Sequence, residues 1–194
     1  MSSPNCAACL TRACRDGKDC RRAAGSHLDL YADPQLVRMH RASSAVEARH
    51  YCRANRLQEV VLFAREMNFT RIGLAFCIGL ADEARAVQEY MTGQGLQVVS
   101  VCCKNCGVPK RTLGLEQIDP AREQETMCNP LGQATLLNEA ATQFNVIVGL
   151  CVGHDALFTL RSKAPVSTLI AKDRVLGHNP AAAVYCQYVR RKTT

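Results

Sequence analysis

Two stretches constrain this chain more than any others. Residues 71–80 read RIGLAFCIGL and residues 145–155 read NVIVGLCVGHD. Each is a short apolar run that ends in a cysteine and then a glycine. An Ile-, Val- and Leu-rich run of this length, bounded by turn signals, is the pattern of a strand buried on both faces in a parallel sheet. Residues 96–103, LQVVSVCC, have the same form. In open α/β sheets ligands bind in the crevice at the carboxyl ends of the strands. Three strands therefore aim thiols at one rim.

The rest of the chain supplies the alternation that such a sheet needs. Strands are expected at 71–76, 96–101, 146–150 and 166–171. Helices are expected at 81–94, 130–144, 154–162 and 181–191, the first closed by Gly93 and Gly95. Strands alternating with helices imply parallel pairing with right-handed crossovers. The expected order is 2-1-3-4, with the switch point between strands one and three, setting Cys77 beside Cys151. Residues 104–129 form a loop too long for a simple connector, and such loops are usually functional or disordered. This one contains Cys106 and ends in Cys128, which favours function. Ahead of the sheet, Asp33-Pro34 starts a helix over 35–56, and a second follows at 57–67. Arg38, Arg41, Arg49, Arg53 and Arg56 recur at roughly helical spacing, the mark of a solvated face.

The fold class is thus α/β: an open, mostly parallel four-stranded sheet flanked by helices. A cysteine knuckle (1–26) precedes an α/β domain (27–194), divided into a helical lead-in (27–67) and the alternating part (68–194). The chain has 194 residues and is 47% hydrophobic, enough for a core of its own. Disulfide scaffolds are small and loop-rich, so the twelve cysteines argue instead for metal or redox chemistry in a reducing compartment. No apolar run reaches the ~20 residues that span a bilayer, and the first residues lack the apolar core of a signal peptide. The expectation is a cytoplasmic protein with no membrane association.

Net charge is +7, but it is concentrated at the ends. Residues 1–26 carry five basic and two acidic side chains, and Arg190, Arg191 and Lys192 add three more basic ones. The body is near neutral, which makes nucleic acid an unlikely partner. There is no Gly-x-Gly-x-x-Gly after a strand, no phosphate-binding loop and no Gly-x-Ser-x-Gly elbow.

Two thiol constellations remain. Cys6-x2-Cys9-x4-Cys14-x5-Cys20 offers four sulfurs within a short polar segment. Four thiolates suit zinc or an iron–sulfur cluster, though the spacing is neither that of a zinc ribbon nor that of a bacterial ferredoxin. The second set is Cys77, Cys102, Cys103, Cys128 and Cys151. Four of these lie just past strands and Cys128 lies just before a helix. Cys102 and Cys103 are adjacent, so in extended backbone they point to opposite sides, and one of them faces the rim. Cys52 and Cys186 fall on expected helices and read as structural. Around the rim, His154 is a candidate ligand or proton donor. Asp155 is as well explained as a helix cap. Lys172 and Asp173 follow the last strand and join His154 as candidate catalytic residues beside a small-molecule pocket.

At these residues the chain resembles a family of small cysteine-rich uncharacterised metal-binding proteins, a domain of unknown function common in anaerobic bacteria and archaea. The resemblance is carried by the Cys6/Cys9/Cys14/Cys20 set and by IGLAFCIGL at 72–80. It continues through SVCCK at 100–104, MCNP at 127–130, GLCVGHD at 149–155 and the segment from Ala164-Pro165-Val166 through Lys172-Asp173 to His178-Asn179-Pro180. It implies metal binding by cysteines in an anaerobe's cytoplasm and implies no reaction. Cys106 has no counterpart among these motifs and is left out of the ligand set.

These readings lead to an iron–sulfur protein with one or two clusters of the 4Fe–4S type, one in the knuckle and one at the rim, served by a redox partner protein. More thiols at the rim than zinc needs, together with the anaerobic setting, favour iron–sulfur. Open-iron chemistry on a small molecule at the rim would make it an enzyme, which the sequence leaves open. The alternatives are structural zinc in a nucleic-acid or protein binding module, and a soft-metal carrier or sensor. The oligomeric state is not legible.

Overall fold

The computed structural model describes residues 3–193. β1 (Arg71–Phe76), β2 (Gln97–Cys102), β3 (Phe144–Val148) and β4 (Val166–Ile170) form one all-parallel sheet in the order β2-β1-β3-β4. The expected order and switch point are therefore the observed ones. Every residue of β3 is buried, as are the four central residues of β1, while β2 and β4 at the edges are largely half-buried. The crossovers are α4 (Ala81–Gly93), α5 (Pro130–Glu139) and α6 (Val152–Arg161). Right-handed crossovers place α4 on one face and α5 with α6 on the other, and α5 packs along α6. Ile72, Leu74, Leu80, Met91, Leu137, Ile147, Leu150 and Phe158 are fully buried in this core, each worth about 1.5–3 kcal/mol relative to exposure.

One polar network runs through the apolar sheet. Asn145, fully buried in β3, accepts from Thr142 Oγ1 at 2.7 Å and donates to Ser162 Oγ at 2.8 Å. Ser162 donates onward to the Ala164 carbonyl. Gly73 stands opposite Asn145 in the β1–β3 register. A Cβ on Gly73 would overlap Asn145 Oδ1 and lie 2.9 Å from Leu137 Cδ1. The glycine in β1 is therefore the room that the asparagine needs. This is also why β3 begins at Phe144 rather than 146: a polar Asn reads as loop, but fully satisfied it sits inside the sheet. The strand ends at Gly149, whose φ is +64°. A Cβ there would lie 2.5 Å from Leu80.

Ahead of the sheet come α1 (Ala24–Asp29), α2 (Pro34–His50) and α3 (Arg56–Glu66). Asp33 caps α2 by accepting from Gln35 N at 2.7 Å, with Pro34 following as expected. The helix expected over 35–56 stops at His50. Asn55 and Gln58 form a capping box that restarts the backbone for α3, so residues 51–54 must turn. Cys52 thus lies in an exposed left-handed turn at φ 55°, not on a helix. The arginines are partly structural: Arg49 pairs with Glu66 at 2.6 Å, and Arg38 donates to the Met67 carbonyl. At the other end the expected single helix is two, α7 (Ala182–Tyr185) and α8 (Gln187–Thr193), with extended backbone at Cys186 between them. No helix among the described residues is long and apolar enough to cross a membrane.

Candidate metal centre

Three segments deliver thiols to the carboxyl rim. β1 ends at Phe76 and its carbonyl accepts from Cys103 N, while Cys77 N donates to Val148 O of β3. Cys77 and Cys103 are therefore pinned as extensions of adjacent strands. The third thiol arrives through the long loop. Its neck is closed by the Pro109–Thr126 bridge and by an ion pair, Lys110 Nζ to Glu125 Oε1 at 2.8 Å, between two mostly buried side chains. The Lys110 ammonium holds the Glu125 carboxyl below its usual range. Past the neck, Asn129 N donates to Cys103 O at 2.7 Å, and the Asn105 and Asn129 side chains bond each other. Asn129 also caps α5 by accepting from Gly132 N. Cys128 is thereby set against Cys103.

The result is a group of three thiols. Cys103, 1% exposed, has both Cys77 and Cys128 as neighbours, each close enough to perturb its thiol. The hydrogen bond from Cys103, helped by Lys172, pulls the Cys77 thiol down to about 4 against the cost of burial. Lys172 Nζ lies 2.6 Å from Cys77 Sγ. Cys128 is pulled down to about 5, again mainly by Cys103, with the charges of Lys104 and His154 contributing. Cys103 itself is pushed far up by its two sulfur neighbours and by burial. Cys103 thus favours the thiol form while its two neighbours favour thiolate. Cys151 stands beside the group, its sulfur accepting from Arg174 NH2 at 3.2 Å. That contact raises the Arg174 guanidinium pKa, and the charges of Cys77 and Cys128 add to the effect. Among the described residues no three His, Cys, Asp or Glu side chains are gathered about one point as the ligands of an ion are. Cys103 is the thiol whose ionisation both of the others influence most directly.

The chain matches, over residues 16–169, the family described as "Protein of unknown function (DUF1847)". The chain belongs to this family. An uncharacterized protein of Methanocaldococcus jannaschii is 42% identical to it over 188 residues, 96% of each chain. No solved structure matches it. The resemblance drawn from the motifs, to a domain of unknown function found in archaea, is the one these comparisons give.

Within this DUF1847 chain the expected residues part company. Cys77, Cys103 and Cys128 come together, with Cys151, Lys172 and His154 on the same rim. Cys102 does not join the group. Its sulfur accepts from Lys104 N at 3.5 Å, so of the adjacent pair it is Cys103 that faces its fellow thiols. The Asp173 carboxylate accepts from Val175 N and Leu176 N and shapes its own turn, while Asp173 N donates to His178 Nδ1. Cys106 is exposed at φ 74° and bonds Asn105 Oδ1. Cys6, Cys9, Cys14 and Cys20 are all exposed, and the sulfurs of Cys9, Cys14 and Cys20 meet local partners, such as Arg12 N on Cys9 at 3.4 Å. Sequence reading missed Arg174, the Lys110–Glu125 neck and Gln133. Gln133 Nε2 ties Phe76 O to Val101 O beneath the rim, and its Oε1 is buried without a partner. The Lys172-Asp173-Arg174 run was the available signal for Arg174. Nothing local marked Gln133.

Proposed function

We propose that this protein is a thiolate-ligated metal protein whose principal centre is held by Cys77, Cys103 and Cys128, with Cys151 as the fourth donor or the flank of an open position. The supporting observation is that backbone bonds from Cys103 to β1, from Cys77 to β3 and from Asn129 to Cys103 bring three thiols from distant parts of the chain to one strand rim, close enough to perturb one another. Metal ligands must be deprotonated, and two of the three already favour thiolate at neutral pH. Soft sulfur donors fit iron–sulfur clusters and zinc; an iron–sulfur cluster is the reading we adopt, and it would supply one-electron or Lewis-acid chemistry. Lys172 and Arg174, already bonded to Cys77 and Cys151, balance ligand charge. His154, beside Cys128, is placed to hold a proton near the rim.

In the same reading Cys6, Cys9, Cys14 and Cys20 form a second site. Neither short helical turn of this segment, Cys6–Ala8 or Ala13–Asp16, has a buried residue, so a metal would give it the core it lacks. A redox partner, a small-molecule ligand at the rim and a cytoplasmic setting accompany this proposal. The test is anaerobic purification with iron, zinc and acid-labile sulfide counts beside a visible spectrum. A brown protein whose iron and sulfide match, and which loses the rim share on Cys103→Ser but not on Cys14→Ser, supports it. A colourless protein with one or two zinc ions would replace it with the structural-zinc reading. Neither metal, in protein purified without chelator, would overturn both.

A further inference from the structure

A large cleft lies at the opposite end of the sheet from the rim thiols, with Cys52 among its lining residues. It has a volume of about 670 Å³ and opens between α2, α3 and the first residues of β3 and β4. That size falls in the ~300–1,000 Å³ range of small-molecule sites. Val46, Val60, Phe63, Phe144 and Val166 line its walls, and the Phe63 and Phe144 rings meet edge to face with centroids 5.3 Å apart. Two carboxylates, Glu47 and Glu59, also line it, and neither forms an ion pair or hydrogen bond among the described residues.

The charges restrict the occupant. Among the described residues Arg56 is the one basic side chain lining the cleft, and it is committed: Nε donates to Thr168 O at 2.8 Å and NH2 to Ser167 Oγ at 3.0 Å. An anion entering would meet two unpaired carboxylates and no free cation. Among the described residues no three His, Cys, Asp or Glu side chains gather there as the ligands of a metal ion would. An added strand is disfavoured because Arg56 occupies the Thr168 carbonyl on the β4 edge. What remains is a body that is apolar where the phenyl rings are and positive where the carboxylates are. Tyr51 at the lining offers a further ring face to a cation.

We infer that this cleft binds a small organic ammonium, a ring-bearing apolar body with a protonated amine, recognised by the Phe63–Phe144 floor and the Glu47 and Glu59 carboxylates. The site is independent of the thiol rim and stands whether or not the rim holds a metal.

The experiment uses the metal-loaded protein as purified, with three probes of one shape: 4-phenylbutylamine, 4-phenylbutanol and 4-phenylbutanoate, titrated calorimetrically at neutral pH and low salt. The amine is expected to bind tightest and the carboxylate weakest, with roughly tenfold or more between them, the effect of one ion pair in a partly dry site. In the Glu47→Gln/Glu59→Gln double variant, amine affinity should fall to that of the alcohol, with metal content and circular dichroism unchanged. Ser43→Trp, which crowds the cleft from its exposed side, should weaken all three probes. The inference is overturned if the carboxylate binds as well as the amine, if the double variant leaves amine binding intact, or if no probe saturates. It is equally overturned if sedimentation shows a dimer and binding appears only on dissociation, because the occupant is then a second copy of the chain.

Discussion

Cys103 is buried between two sulfur neighbours that hold its thiol pKa up while theirs are pulled down, and the behaviour of the rim follows from that. In metal-free protein Cys77 and Cys128 stay ionised well below the ~8.5 of an ordinary thiol. Thiolate ultraviolet absorbance should therefore survive acidification to about pH 6, where free thiols are protonated. Lys172→Met should shift the Cys77 part of that titration upward, because it removes the ammonium 2.6 Å from the sulfur. A titration curve identical to wild type would deny Lys172 its role. Asp155 behaves in the opposite sense. Burial raises its carboxyl to about 6, and Oδ1 has no partner. A raised folded-state value contributes stability that is fully present below the unfolded pKa and lost as pH rises through the folded one. Asp155→Asn should therefore match wild type near pH 4 and exceed it at pH 7, read as the difference in urea midpoints between the two proteins.

Strands and helices carry the next level of argument. β1 and β3 touch where Gly73 faces Asn145, and each tolerates the other only as it stands. Gly73→Ala must displace a hydrogen-bonded buried side chain or the Leu137 methyl, and should cost about 2–3 kcal/mol by overpacking. Asn145→Ala would relieve that clash, so the double variant should be less destabilised than the sum of the singles; chemical denaturation of all four proteins gives the coupling. At the end of β3, Gly149→Ala combines a left-handed backbone with contact on Leu80. Leu80 closes the turn after Cys77, its N–H bonded to the Cys77 carbonyl, so this change should lower stability and, if the rim is the proposed metal centre, its metal content as well. The loop 104–129 is an arm closed by Lys110–Glu125, which fixes how Cys128 returns to Cys103.

Taken whole, the molecule has one core and a fringe. The buried cluster draws on α3, β1, β3 and the crossover helices α4, α5 and α6, with β2, β4 and Leu57 packed half-buried against it, and among the described residues nothing N-terminal of Leu57 joins it. Metal removal should therefore leave the α/β body folded while the first segment opens. Trypsin after chelation should cut early among Arg12, Arg15, Lys18, Arg21 and Arg22, all exposed, and leave a resistant body; equal resistance before and after chelation would deny the knuckle a metal-supported fold. The two ends of the sheet have different chemistry: thiols and cations at the carboxyl rim, an apolar and acidic cleft at the amino end.

The sheet was legible because parallel strands buried on both faces announce themselves as apolar runs, and because the glycines and helices between them fix the crossover pattern. The rim was legible for the same reason: chemistry placed just after such a run must lie at the carboxyl ends. The four-strand order, Cys77 and Cys151 on one rim, and the Asp33-Pro34 helix start all follow from local patterns. What tertiary structure alone decided depends on contacts between residues far apart in the chain. Residue order does not tell that Asn145 can be buried, because its partners Thr142 and Ser162 and the space left by Gly73 come from three elements. Nor does it tell that Cys103 rather than Cys102 is the central thiol, since both have the same neighbours in sequence and only the pleat at the end of β2 separates them. Arg174 on Cys151, Gln133 under the rim and the cleft between α2, α3 and β4 belong to the same class. Periodicity records which side of an element is buried, and packing decides what it is buried against.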